Sequence, residues 1–249
     1  MLTAKTPSLL AVSIAALMAA LATSQLSWSN ESGHETGRGA VSGQVTITRN
    51  LAAQRMRFRL YPSYKPIAPP PAGAGRADEY QNVVIYLEPL DFDSPPVSSQ
   101  TGLEIRQLGE TFIPHVLPVT VGSTVSFPNL DPIFHNVFSL SRPKTFDLGR
   151  YPKSETRTVT FDEPGVVPVF CHLHSDMSAV VVVLDTPWYT IPKANGLYQI
   201  ADLPPGQYRV TAWHERSPSV ATEITIEAGQ VVSLDLSIPI PDENEKGAP

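Results

Sequence analysis

The sequence predicts an all-β protein of packed sheets, and both its composition and its hydrophobic pattern support this fold class. The 249-residue chain contains 25 prolines, which disfavour long helices because proline lacks the backbone N–H that a helix interior needs. After the N-terminal segment, no stretch repeats its apolar residues with a helical period. Short alternating or continuously apolar segments recur between turn residues instead, which is typical of a β-sandwich.

Residues 1–24 are predicted to be an export signal. Lys5 gives a short positive start, an apolar run extends from Leu9 to Ala22, and small residues allow cleavage after Ala22 or Ser24. The run is short and rich in alanine for a transmembrane span. We therefore expect a periplasmic protein, with secretion or a signal anchor as alternatives. Contact with a membrane is expected only if the signal is retained.

Predicted strands lie on both sides of a denser central block. Residues 25–38 are polar and predict a flexible lead-in, and residues 241–249 a polar tail. Residues 39–90 precede a loop at 91–99, and residues 186–240 follow the central block. The strands predicted in these two flanks are Val41–Ile47, Met56–Tyr61, Asn82–Glu88, Gly196–Ile200, Gly206–Trp213, Ala221–Ile226 and Val231–Ile238.

The central block, residues 100–185, has the strongest strand signals. Phe112–Val119 and Ser123–Phe127 flank Gly122 as the two arms of a hairpin would. Ala179–Asp185 is almost continuously apolar, which predicts a strand buried on both faces.

The segment before that strand carries a candidate copper site. Cys171, the single cysteine of the chain, lies three residues before His174 and six before Met177. Thiolate, imidazole and thioether are ligands that suit copper, and a blue-copper site needs two histidines, one cysteine and a weak axial methionine. His135 supplies the second imidazole from a neighbouring segment. His172 is the rival ligand, but successive side chains of extended backbone point in opposite directions, so we place it at the surface or behind the ligands.

If the protein is exported, its single cysteine supports a metal site. One cysteine cannot form a disulfide within the chain, and an exposed thiol would be oxidised in an oxidising compartment. Binding to a metal would protect Cys171. Zinc is the competing metal, although structural zinc sites prefer several Cys or His ligands. We assign none of His34, His115 and His214 to the metal.

Charge limits the classes of partner. The net charge is −6, and no basic stripe suggests binding to nucleic acid. Residues 142–157 nevertheless hold five basic residues against two acidic ones. We expect this segment to be either a solvated loop or a docking surface for an acidic redox partner.

The central block resembles the cupredoxins over roughly residues 109–185. The residues that carry the resemblance are Phe112-Ile-Pro-His115, Gly122 to Asp131, His135-Asn136-Val137 and the Cys171 loop. The Cys-x-x-His-x-x-Met spacing is similar to that of amicyanin, whose ligand loop is shorter than that of plastocyanin, and the loop as a whole resembles the amicyanin/plastocyanin-like type. The chain as a whole looks most like the cupredoxin-containing proteins labelled methylamine utilisation protein.

The resemblance implies a Greek-key sandwich with one copper cycling between Cu(I) and Cu(II). It makes His135, Cys171 and His174 the equatorial ligands and Met177 the axial ligand. Asn136 would tie the two ligand loops together by hydrogen bonds. Leu173 stands where such loops often carry proline, so the redox potential cannot be taken over from the family.

The flanks have a separate resemblance to a carboxypeptidase-regulatory-like sandwich. It rests on Val41–Val45, Val83–Leu87 and the Leu-Pro-Pro-Gly turn that ends at Gly206. We expect residues 39–90 and 186–240 to form one smaller sandwich into which the copper domain is inserted, so that Asn82–Glu88 contacts Gly206–Trp213. The alternative is a serial arrangement in which residues 39–90 complete the copper domain.

The function expected from these features is one-electron transfer between redox partner proteins. No enzyme activity and no small-molecule substrate are expected, since no open coordination position is implied. Two alternatives remain at this level: a copper carrier or sensor, and a structural or recognition module with a vestigial copper site.

Overall fold

The computed structural model describes residues 37–47 and 79–239 of the chain. The export signal, the predicted strand Met56–Tyr61 and the 241–249 tail lie outside the described residues. Among the residues described, no helix is long and apolar enough to cross a membrane.

One 3₁₀ helix, Glu79–Asn82, accompanies the strands in the described part of the chain. The strands are β1 (Gly39–Ile47), β2 (Val83–Pro89), β3 (Leu103–Glu104), β4 (Arg106–Gln107), β5 (Phe112–Ile113), β6 (Val116–Thr120), β7 (Ser123–Pro128), β8 (His135–Leu140), β9 (Thr145–Tyr151), β10 (Thr156–Phe161), β11 (Gly165–Phe170), β12 (Ser178–Leu184), β13 (Tyr189–Thr190), β14 (Leu197–Leu203), β15 (Gly206–His214), β16 (Ser217–Ile226), β17 (Val231–Ser233) and β18 (Leu236–Ile238).

The predicted all-β sandwich class is confirmed. The central sandwich consists of a five-stranded sheet, ordered β6-β12-β11-β8-β9, and a three-stranded sheet, ordered β10-β7-β3. Along β7, Ser123, Val125 and Phe127 are buried and the residues between them are partly exposed, so alternate side chains point into the core. Residues from both sheets share this core, among them Val125, Phe127, Val137, Phe161, Val167 and Val181.

Strand β12 is buried on both faces, as its apolar run predicts. One face belongs to the core of the central sandwich through Ala179, Val181 and Val183. The opposite face packs on the flanking strands in a second cluster, and each fully buried valine contributes about 1.5–3 kcal/mol to such packing. The buried residues of that second cluster are Val84, Val116, Val180, Val182 and Leu184.

The flanking sandwich also has two sheets. One is ordered β14-β1-β17, with β18 also paired to β1, and the other is ordered β13-β2-β15-β16. Strand β1 runs antiparallel to β14 and parallel to β17 and β18. The buried core between these sheets includes Val41, Ile85, Leu87, Tyr198, Leu203, Tyr208 and Ile226.

Strands from before and after the central sandwich pair directly with one another. β2 runs antiparallel to β15 from the Val83–His214 pair to the Pro89–Tyr208 pair. This is the contact that the insertion arrangement requires. The domain bounds derived from the sequence stay a prediction.

The predicted hairpin around Gly122 is wrong. β6 pairs in parallel with β12, whereas β7 pairs with β10 in the other sheet. The chain crosses between the sheets at Val121–Gly122, where Gly122 has a φ of 81° that favours glycine. Both strands bury apolar side chains in one core from opposite sides, and this gives the same sequence pattern as a hairpin.

A charged cluster stabilises the flanking sandwich. Oε1 of Glu79 accepts hydrogen bonds from Nε2 of His214 at 2.8 Å and from Nη2 of Arg216 at 3.0 Å. Burial raises the pKa of Glu79, but the hydrogen bond from His214 and the charge of Arg216 outweigh burial, so the pKa is lowered.

We expect Glu79→Gln to lower the free energy of unfolding by about 1–3 kcal/mol at neutral pH. Because the pKa of Glu79 is lower in the folded state than in the unfolded state, its contribution is complete above the unfolded-state pKa. The contribution disappears as the pH falls through the folded-state pKa. Urea unfolding at about pH 7 and about pH 3 should therefore show a difference between wild type and variant that shrinks in acid. Glu223→Gln, at an exposed carboxylate paired with Arg209, is the control; an equal difference at both pH values would contradict the prediction.

Candidate metal centre

Three potential ligands converge at one end of the central sandwich. His135 is the first residue of β8, and Cys171 and His174 lie in the loop between β11 and β12. Because β11 is antiparallel to both neighbours, the start of β8 and this loop meet at the same end. Nδ1 of His135 is 3.1 Å from Nδ1 of His174, and Sγ of Cys171 is 3.7 Å from the latter and 4.0 Å from the former. One ion can therefore contact all three atoms.

The centre is enclosed on one side and accessible on the other. The side chain of His135 is fully buried, and Cys171 is 6% exposed. The side chain of His174 is 18% exposed. A bound ion would therefore lie under the surface, with the His174 imidazole between it and solvent.

Met177 lies on the buried side of the same loop. It is 1% exposed and belongs to the same core cluster as Cys171. The Cys171 N–H donates to the Met177 oxygen at 3.2 Å, and the Met177 N–H donates to the His174 oxygen at 3.1 Å. These bonds close the loop into a tight turn. All four residues selected from the sequence are thus at this end of the sandwich, and their role as ligands stays a prediction.

The donor set fits copper by its chemistry. One thiolate and two imidazoles, with a thioether in the same loop, are the soft and borderline ligands that copper prefers. Among the described residues, His135, Cys171 and His174 are the one group of three His, Cys, Asp or Glu side chains close enough to hold an ion.

Asp131 fixes the orientation and the tautomer of His135. Its Oδ2 is 2.7 Å from Nε2 of His135. Because an ionised carboxylate can only accept, Nε2 carries a proton, and the neutral tautomer that this contact selects is the one with its lone pair on Nδ1, the nitrogen nearest Cys171 and His174. A carboxylate on the outer nitrogen of a ligand histidine also increases its basicity.

Two consecutive backbone N–H groups hold Asp131 in turn. Gly109 donates to Oδ1 at 2.6 Å and Glu110 donates to Oδ2 at 2.9 Å. Both residues have positive φ, 65° and 55°, which aims their N–H groups at one anion. Burial raises the pKa of Asp131, but these two N–H groups and the bond from His135 outweigh burial and lower it. The carboxylate therefore stays ionised.

His174 has a weaker partner. Its Nε2 is 3.9 Å from Oε2 of Glu110, an ion-pair distance that is too long for a hydrogen bond. Burial lowers the pKa of His174 more strongly than the nearby Glu110 charge raises it. The neutral imidazole, which is the form that binds metal, is favoured.

One hydrogen bond of Asn136 joins it to the Cys171 loop, and a second joins it to strand β9. Its Oδ1 accepts from the His172 N–H at 3.3 Å, and its Nδ2 donates to Asp147 at 2.7 Å. His172 is exposed, and its ring packs against Phe138 with centroids 3.7 Å apart and planes tilted by 38°. His172 therefore lies at the surface, outside the ligand group.

His115 and His214 lie outside the ligand group. His115 contacts Glu215, and His214 contacts Glu79. His34 is outside the described residues. The residues that the sequence did not reveal are Gly109, Glu110 and Asp131. The spacing of Asp131, four residues before His135, could have indicated a partner for that histidine. The turn at Gly109 has no sequence pattern that would have indicated its role.

Solved structures that resemble part of this chain include cupredoxins and a copper-containing reductase. A reduced amicyanin variant is 25% identical, over 34% of this chain and 85% of amicyanin, with a TM-score of 0.32. A purple cupredoxin from Nitrosopumilus maritimus is 23% identical, over 33% of this chain and 99% of that chain, with a TM-score of 0.31. A copper-containing nitrite reductase from Thermus scotoductus is 23% identical over 39% of this chain, with a TM-score of 0.33, and the match spans only 25% of the reductase. No protein-family model matches the chain, and no curated protein is significantly similar to it.

We expect Asp131→Asn to weaken copper binding by about 10–100-fold. The neutral amide leaves His135 less basic and removes a negative charge that favours Cu(II), so the reduction potential should rise. Competition with a chelator measures the affinity, and voltammetry measures the potential. Asp162→Asn removes the same charge from an exposed pair with Lys144 and serves as the control. An Asp131→Asn protein with wild-type affinity and potential would show that the contact does not act on the metal.

Proposed function

We propose that this chain is a periplasmic blue-copper protein of the cupredoxin type that transfers single electrons. The observation that carries the proposal is the convergence of His135, Cys171 and His174 at one end of a β-sandwich. Copper would be held by these three residues, with Met177 as the weak fourth ligand. When bound, it supplies a reversible Cu(II)/Cu(I) couple.

The arrangement supports electron transfer because the frame holds the ligands in place. His135 is anchored by a strand and by Asp131, and Cys171 follows β11 directly. Ligands that keep their positions in both oxidation states leave little structural reorganisation to oppose the transfer. The proposal therefore includes no substrate and no enzymatic step.

Electrons would enter and leave through His174, and we propose that exposed apolar side chains of the neighbouring loops form a docking rim around it. The loops that meet around the centre carry exposed apolar side chains, and exposed apolar patches of this kind mark interaction sites. A 2.9 Å hydrogen bond from the Leu130 N–H to the Gln107 oxygen joins two of these loops. The members of the rim are Leu108, Leu130, Ile133, Phe134 and Leu173.

The copper-loaded protein should show an intense visible band, and Cys171→Ser should abolish it, because the transition needs thiolate sulfur as electron donor. Ser175→Ala, at an exposed residue of the same loop, should keep the band and is the matched control. Met177→Leu should retain copper and shift the reduction potential, since the axial contact is weak. Visible spectroscopy and voltammetry measure these effects; a full band in Cys171→Ser would refute the assignment of the loop.

Two further measurements separate electron transfer from the alternatives. An electron-transfer centre should keep its copper through repeated oxidation and reduction in the presence of a chelator. A copper carrier would release it under the same conditions. A vestigial site would bind no copper and would give no band.

The basic segment 142–157 could steer an acidic redox partner, and the structure shows how much of its charge is already paired. Lys144 pairs with Asp162 at 2.8 Å, and Arg157 pairs with Glu155 at 3.5 Å. The other three basic residues of the segment, Arg142, Arg150 and Lys153, are exposed and remain available to attract an acidic partner.

We expect association with a redox partner to slow as the salt concentration rises, because salt screens long-range attraction. Reversing the charge at both Arg150 and Lys153 should remove most of this dependence. Reversal of Arg209, a basic residue of the flanking sandwich that pairs with Glu223, is the control. Stopped-flow rates across a salt series test the proposal, and rates insensitive to both salt and reversal would leave the segment without a steering role.

A further inference from the structure

A hairpin of the flanking sandwich contacts the central sandwich through a buried histidine. Glu215 lies in the turn between β15 and β16, and its Oε1 is 2.8 Å from Nε2 of His115, which directly precedes β6. The other ring nitrogen of His115, Nδ1, is 3.0 Å from the backbone oxygen of Ser178. His115 is 8% exposed, so this series of contacts is largely shielded from water.

Both neighbours of the His115 ring are acceptors. A backbone carbonyl oxygen only accepts, so Nδ1 donates to Ser178. Burial raises the pKa of Glu215, but the hydrogen bond from His115 and the charge of His115 outweigh burial and lower it, which keeps the carboxylate ionised. Nε2 therefore donates as well. Charge-assisted hydrogen bonds of this type are shorter and stronger than neutral ones.

The contact between His115 and Ser178 lies at the end of the loop that carries the proposed ligands. Ser178 directly follows Met177 and is the first residue of β12. The backbone of His115 binds the same strand, because its oxygen accepts from the Val180 N–H at 2.7 Å. The ring and the backbone of one residue thus hold the first residues after the loop.

The hairpin turn that presents Glu215 is itself fixed. Its neighbours His214 and Arg216 both donate to Glu79 of the flanking sandwich. Trp213 and Tyr86 of the same sheet pack against the buried face of β12 that contains Val180 and Val182. Glu215 is therefore presented from an ordered surface.

We propose that Glu215 and His115 are positioning residues through which the flanking sandwich holds the C-terminal end of the copper-ligand loop. Without the Glu215 carboxylate, His115 loses its charged partner and binds Ser178 more weakly, and the backbone at Met177 gains freedom. The part of this inference that concerns copper rests on the proposed function. The flanking sandwich would then help to fix the position of the ligand loop at the copper centre.

Amide hydrogen exchange in the metal-free protein tests the positioning without copper. Glu215→Ala should accelerate exchange at Met177 and Val180 about tenfold, because a hydrogen bond to a charged group near these amides is lost. Glu215→Gln retains an acceptor for His115 and should give an intermediate rate. Glu223→Ala, which removes the exposed carboxylate partner of Arg209, should change neither amide. Equal acceleration at Val125 in the core would indicate global destabilisation and would overturn the proposal.

The copper-loaded protein provides an independent test. Glu215→Ala should release copper to ethylenediaminetetraacetate severalfold faster than wild type and should shift the reduction potential, while Glu223→Ala should do neither. Unchanged exchange and unchanged copper release, with the visible band intact, would overturn the positioning role and leave the proposed function standing. Absence of the band in wild type would overturn the proposed function, and the exchange data would still decide the positioning role.

Discussion

The burial of β12 on both of its faces is the constraint on which the rest of the structure depends. One face completes the core of the central sandwich, and the other packs on Val84 of the flanking sandwich. Moving this strand would disturb two apolar clusters at once. Because the strand starts at Ser178, directly after the ligand loop, its double burial also fixes one end of that loop. The loop that carries the candidate ligands is thereby attached to a strand that is held from both sides.

The end of the central sandwich that contains His135 depends on how its buried charge is paired. His135 is fully buried, and a buried polar ring without partners would be costly. Asp131 supplies the partner, and it is itself buried, so its charge must be met by other donors. The N–H groups of Gly109 and Glu110 meet it. The position of Nδ1 on His135 is thus determined by a turn that contributes no side chain to His135.

The sequence predicted the parts of this centre that depend on local spacing. Cys171, His174 and Met177 lie in one loop, so their proximity follows from the chain itself. The turn at Gly109 could not be predicted, because Glu110 adopts a positive φ that its residue type disfavours. The hairpin around Gly122 was wrongly predicted because apolar alternation shows that a strand is half-buried and says nothing of its partner. Strand β9 was missed because it is a largely exposed edge strand with Asp147 and Gly149 in its middle.

The two histidines of the centre differ in burial and in the partners of their outer nitrogens. His135 is fully buried and bonded to an ionised carboxylate, which restrains its ring and favours the higher oxidation state of a bound metal. His174 is partly exposed, and its nearest carboxylate is too distant for a hydrogen bond. In the proposed function, the neutral and lightly restrained His174 would couple a buried metal to a partner, while the buried His135 would keep the metal in place. Since both residues present Nδ1 to the same point, the asymmetry arises entirely from what surrounds their outer nitrogens. In the proposed electron-transfer role, holding the metal would thus fall to the buried histidine and exchanging electrons to the exposed one.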